Sequence, residues 1–195
     1  MKATGRHAVG ILLAGLLLLG SSAATRAADT YDIDPDHSMV LFKVEHLGVS
    51  NNWGRFNDIS GKYTFDPADP GKVSFDVVIK ADSVDTHSEK RDQHLRSPDF
   101  FNVKQFPVIE LKSKSVKRAD DGTYRVTADL TLHGVKKEVT LDVRYIGAGE
   151  DPWGGYRSGF ESEFRVDRRS FGMNYMPGGL GDEVTVFVNI EGKRR

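Results

Sequence analysis

The segment Arg91-Asp92-Gln93-His94-Leu95 sets a cation, an acid, an imidazole and an apolar residue side by side, just ahead of Phe100 and Phe101. Two arrangements fit these residues. In one, the polar groups orient the head of a ligand while Leu95, Phe100 and Phe101 touch its tail. In the other, the charges pair with one another on a capping helix and the aromatics plug the core; composition alone leans to this second one. Met173-Asn174-Tyr175-Met176-Pro177 poses the same choice, since flexible methionines suit adaptable apolar contacts as well as a packed loop. Ser88, Asp92 and His94 hold the residue types of a hydrolytic group, but their short spacing on one helix does not give triad geometry. His37, His46, His87, His94 and His133 offer imidazoles for a metal, and His87 and His94, seven apart, could share a helix face, yet zinc needs three or four convergent ligands and a sequence does not show convergence across strands. Nucleophile-elbow, zincin, P-loop and dinucleotide fingerprints are all missing. No metal site and no obligatory cofactor are expected.

The 195 residues suit one domain. Lys plus Arg number 27 against 28 Asp plus Glu, a net charge of −1, which argues against a nucleic-acid partner. Hydrophobic residues make up 38% and charged residues 28%, a globular composition. Because the chain has no cysteine, disulfides, thiol nucleophiles, iron–sulfur clusters and a lipoprotein anchor are excluded.

Lys2 and Arg6 precede an apolar run from Ala8 to Leu19, which ends in small residues and Thr25-Arg26-Ala27. A membrane span needs about 20 apolar residues. The shorter run with a basic start predicts a secretory signal peptide over 1–27, cut after Ala27, and a single domain over 28–195. Cleavage there removes Lys2, Arg6 and Arg26 but no acid, so the exported chain is mildly acidic. In a bacterium with two membranes its expected location is the periplasm.

The remaining chain alternates apolar and polar residues with period two. Eight strands are predicted, around 40–44, 62–65, 73–80, 109–112, 124–132, 138–145, 160–167 and 184–191. Turns are expected at 66–71, 120–122, 134, 147–155 and 178–181. One polar row per strand argues for antiparallel strands with one wet face, because parallel strands buried on both sides read as uniformly apolar. Thr86-x-x-Glu89 resembles a capping box ahead of a short helix over 88–96, and Ser97-Pro98 predicts a second helical start. Eight strands with one helical excursion suit a closed barrel better than a sandwich, because closure removes exposed edges.

In order along the chain stand Tyr31-Asp32-Ile33-Asp34 with His37-Ser38, Phe42 to Gly48, Gly54-Arg55-Phe56, Thr86 with Arg91-Asp92-x-His94-Leu95, Asp99-Phe100-Phe101 with Phe106-Pro107, Leu130 to Val135, Ser170-Phe171-Gly172 and Gly181 to Val184. In order and spacing these blocks resemble the YceI-like family of exported polyisoprenoid-binding proteins. The resemblance implies an all-β fold, a lipocalin-like antiparallel eight-stranded β-barrel with a short helical lid. It implies a long interior pocket for an amphiphile with an isoprenoid tail, of ubiquinone or polyprenyl diphosphate type, and no catalysis. Phe42, Val44, Phe75, Val77, Leu130, Leu132, Phe160 and Phe164 are then expected along the tail. Leu95, Phe100, Phe101, Tyr175 and Met176 are expected at the entrance, with Arg91, Asp92 and His94 binding a head group or locking the lid. His46 and Phe171, inside matching blocks, are assigned to the same site. A hydrophobic lipid is the expected partner; a transient membrane contact and a homodimer are both compatible with the chain. The alternatives are a quinone-linked redox or stress-response protein using His94 and Arg91, and an interaction module whose centre is filled by its own side chains.

Overall fold

Residues 27–66 and 69–195 are described by the computed structural model. The expected leader lies, up to Arg26, outside the described residues. The strands are β1 (Asp29–Ile33), β2 (Met39–His46), β3 (Ser50–Phe56), β4 (Ile59–Phe65), β5 (Ser74–Lys80), β6 (Val84–Asp85), β7 (Val108–Arg118), β8 (Tyr124–Leu132), β9 (Val135–Glu150), β10 (Tyr156–Asp167) and β11 (Leu180–Arg194). One helix, α1 (Glu89–Arg96), interrupts them between β6 and β7.

All neighbouring strands pair antiparallel in one sheet, and β1 pairs with β11 to close it. β11 carries β2 along residues 180–189 and β1 along 192–194, so β1 and β2 form two halves of one stave. β3 and β4 share a second stave, since β3 pairs β2 while β4 pairs β1. β6 beside β3 and β5 beside β4 share a third. With β7 to β11 the result is a closed eight-stave barrel.

The alternating rows supply the core. On β8, Tyr124, Val126, Ala128, Leu130 and Leu132 are buried between exposed or half-buried neighbours. β1, β3 and β6 were not expected from the sequence. β3 reads Ser-Asn-Asn-Trp-Gly-Arg-Phe, whose apolar residues are too few to show a period; pairing to β2 holds it in place. Gly54 on this strand has a packing reason, because a Cβ there would lie 2.2 Å from the Phe42 ring. The turn expected over 147–155 shortens to 151–155. Gly147 and Gly149 continue β9, paired to Gly159 and Arg157, with a register shift between Gly159 and Phe160.

The helix forms where expected, but the capping box does not. Ser88 is the N-cap and makes no side-chain cap bond, while Thr86 is committed to Asp92 instead. Ser97-Pro98 starts a run of turns, not a second helix, with Phe100 and Asn102 N–H groups donating to the Ser97 carbonyl.

Candidate ligand-binding site

The barrel interior is divided along its length. One end is solid. Tyr31 stacks on Tyr63 at 5.0 Å, and Phe160 takes Tyr63, Phe65 and Phe75 edge-on at 5.0–5.3 Å. Tyr124 and Tyr145 complete this plug around Phe160. The Tyr63 hydroxyl donates to the Ser158 carbonyl at 2.8 Å, which leaves Ser158 Oγ, at 2.6 Å, to donate to the phenol oxygen. Burial pushes the Tyr63 phenol well above its usual range, so it stays protonated and serves as a fixed strut. Gly192 is required beside it, because a Cβ there would lie 2.5 Å from the hydroxyl.

The other end holds a cavity of about 180 Å³. Its walls are the inward rows of β2, β5, β7, β8, β9, β10 and β11 and Phe56 of β3, with Leu95 of α1 and Phe100, Phe101 and Met173 from the flanking loops. Three polar residues touch it, and each is already engaged. Glu161 pairs with Arg144, and Ser162 Oγ donates to the Asp142 carbonyl. Arg168 is 3% exposed. Its guanidinium donates to the carbonyls of Gly181, Met173, Tyr175 and Leu180 and to the Asp182 carboxylate, which accounts for all five N–H groups. Burial draws its pKa down, but the guanidinium remains charged and pins the 173–182 loop over the cavity. No unpaired polar side chain is left on the wall, so this space can offer a guest only apolar contact.

Of the residues expected to bind, Phe42, Val44, Phe75, Val77, Leu95, Phe100, Phe101, Leu130, Leu132 and Phe164 line the cavity. Phe160 does not; it is the hub of the plug, because the β10 row that reaches the cavity starts one inward position later, at Ser162. His46 ends β2 opposite Leu180 and lies off the lining. Phe171 is buried behind the wall, under the Lys137 ammonium, and its carbonyl accepts from His133 Nδ1. Tyr175, 42% exposed, and half-buried Met176 sit on the outer side of the lid.

The polar signature serves the lid. Asp92 Oδ1 accepts the Thr86 N–H at 2.8 Å and its hydroxyl at 2.5 Å. Arg91 donates from Nε to Thr86 Oγ1 and from Nη2 to the Thr86 carbonyl. Arg96, which sequence reasoning passed over, donates to the carbonyls of Asp82 and Val84 and ties the far end of α1 to the same edge. His94 pairs with Asp99 at 2.9 Å and presents its ring edge to Phe100 and Tyr175, bridging the lid to the 173–182 loop. None of Arg91, Asp92 or His94 lines the cavity.

The one group of side chains among the described residues with metal-like spacing, Asp34, His37 and Glu191, lies where β1 breaks into β2. Arg157 and Lys193 already reach it, at 2.7 and 2.9 Å from Asp34, so the negative charge is met by protein cations.

Relatives agree with this architecture. "UPF0312 protein" of Serratia proteamaculans is 41% identical over 183 residues, covering 94% of this chain and 95% of the relative. Its counterpart in Azotobacter vinelandii is 38% identical, with 97% and 99% covered. Among solved structures, the Campylobacter jejuni YCEI protein superposes with TM-score 0.67 at 30% identity, over 78% of this chain and 91% of that one. A polyisoprenoid binding domain from Saccharophagus degradans shares the fold, with TM-score 0.66 at 18% identity over 85% and 98%. The YceI-like domain model matches residues 31–192, nearly the whole barrel, and the chain is a member of the YceI-like family.

Proposed function

We propose that the protein is a non-catalytic carrier that shelters the tail of a long-chain isoprenoid amphiphile, of ubiquinone or polyprenyl diphosphate type, in the periplasm. The observation that carries this reading is the cavity whose wall holds no unpaired polar side chain. Such a space favours hydrocarbon, at about 0.8 kcal/mol per buried methylene. The name of the Saccharophagus degradans neighbour supports the same ligand class.

The volume qualifies how binding happens. An apolar cavity of roughly 150 Å³ houses one benzene ring, so the 180 Å³ here accepts about one isoprene unit without rearrangement. A longer tail enters by turning aside aliphatic lining and lifting the Phe100–Phe101 side of the lid, since the plug behind is tied by hydrogen bonds. The head group stays at the lid, next to the exposed His94–Asp99 pair, where it keeps its water. A redox or hydrolytic role for His94 and Arg91 is less well supported, because both are held in lid contacts away from the cavity.

The test is organic extraction of protein purified from its native host, with mass spectrometry of the extract, followed by titration of the stripped protein with a quinone. An isoprenoid in stoichiometric yield and saturable uptake are expected. An empty extract together with no uptake sinks the carrier reading.

A further inference from the structure

Phe75 is shared by the two halves of the interior. It lines the cavity, yet it also packs on Tyr63 at 6.0 Å and on Phe160 at 5.3 Å with its ring nearly perpendicular. Behind it the Tyr31–Tyr63 stack and the paired bonds from Tyr63 to Ser158 hold the plug in place. In front of it the aliphatic part of the lining, Val40, Val44, Val77 and Leu130 among it, is bound only by packing, so rotamer changes there cost little beside breaking the plug. The width of the cavity can therefore yield, while its depth cannot.

We infer that Phe75, backed by Tyr63 and Phe160, is a fixed floor that sets the length of hydrocarbon chain the site accepts. This rests on the carrier reading and adds to it a chain-length selection. From Leu132 under the lid to Val126 near the floor, β8 advances roughly 15 Å along the axis, at about 3.4 Å per residue and a tilt of about 40°. With carbon–carbon bonds of about 1.5 Å, an extended isoprene unit is roughly 5 Å long, so about three units span that depth. Units beyond the third gain no deeper contact; they fold back under the lid or remain outside.

The experiment measures dissociation constants for two ligand series, unbranched alcohols of increasing length and prenols of one to ten units, on the stripped wild-type protein and on Phe75→Leu and Val77→Phe. Circular dichroism verifies that each variant retains its β-sheet. For wild type, affinity should rise about two- to fourfold per methylene and then level off. Phe75→Leu lowers the floor and should move the plateau to longer chains. Val77→Phe, one inward position nearer the lid on β5, raises the floor and should move it to shorter ones. A plateau at the same length in all three folded proteins overturns the floor, as does affinity that climbs through the whole series without levelling. If alcohols level off and shift while no prenol binds, the floor stands and the isoprenoid reading falls. If neither series binds, both fall.

Discussion

Asp92 accepts both the backbone N–H and the hydroxyl of Thr86 through a single carboxylate oxygen, and it is buried while doing so. The acid at the centre of the chain's most distinctive motif therefore fastens helix α1 to the barrel edge beside β6. Replacing it by alanine strands the Thr86 N–H and loosens Arg91, which bonds the same threonine. Asp92→Ala should cost about 2 kcal/mol, a fall of roughly 4–8 °C in Tm for a chain of this size. Thermal unfolding followed by circular dichroism reads the cost, and stopped-flow release of a fluorescent lipid should show faster dissociation from the variant. Unchanged stability would contradict the lock.

The same lid is latched on its other side by His94, through Asp99, Phe100 and Tyr175. His94→Ala should speed both uptake and release of a lipid probe by similar factors and leave its equilibrium affinity within about threefold, because the residue holds the gate, lies off the cavity that takes the tail, and leaves the head group in water. Loss of a quinone-dependent turnover with binding intact would instead favour chemistry at His94.

Arg168 holds the 173–182 loop through four carbonyls and one carboxylate. Lysine keeps the charge but has three donors on one atom and cannot reproduce the planar fork. Arg168→Lys should lose about 3 kcal/mol, as expected for stripping partners from buried polar groups. Hydrogen exchange should quicken at Met173 to Leu180 while β7 and β8 remain protected; uniform protection would count against the anchoring role.

The plug predicts a separate cost. Phe160 meets Tyr63, Phe65, Phe75, Tyr124 and Tyr145 and is 1% exposed. Phe160→Ala should destabilise the barrel by about 4 kcal/mol, through lost transfer energy and the void left behind. Urea unfolding measures it, and a loss under 1 kcal/mol would mean that the plug is loosely packed.

Asp34 is one of the carboxyls through which folding and acid are coupled, and it is a buried one. Burial pushes its carboxyl up, but bonds from Lys193, Arg157, His37 and the Asp36 N–H outweigh that and hold it well below the usual carboxylate range. A carboxyl lowered by folding contributes stability that is complete above its unfolded value of about 4 and is lost as pH falls below it. Stability should thus decline on acidification below about pH 4. Asp34→Asn should lower stability at pH 7 by about 3 kcal/mol and flatten that decline. Urea midpoints between pH 2 and 7 for both proteins decide it; parallel curves would show that Asp34 is not the responsible group.

The sequence alone determined the strands with a clean period of two, the antiparallel pairing, the position of α1 and the apolar character of the inward rows. These are local properties: side chains alternate across a strand, and Val126, Leu130 and Leu132 declare their face through their own neighbours. It did not reveal β1, β3 or β6, because Ser50 to Phe56 and Val84-Asp85 are strands only through their partners. Nor did the row containing both Phe160 and Phe164 show that one ring would plug the interior and the other line a cavity. That depends on where Tyr31, Tyr63 and Phe65, far away along the chain, converge when the barrel closes. The roles of Arg91 and Asp92 were open for a different reason: Thr86 is close by in the chain, but a charged pair looks alike in sequence whether it meets a ligand or that threonine. The structure supplies that partner: a hydrogen bond is settled by which groups lie within about 3 Å, and the turn at His87, with φ 61°, folds Thr86 back against the start of α1.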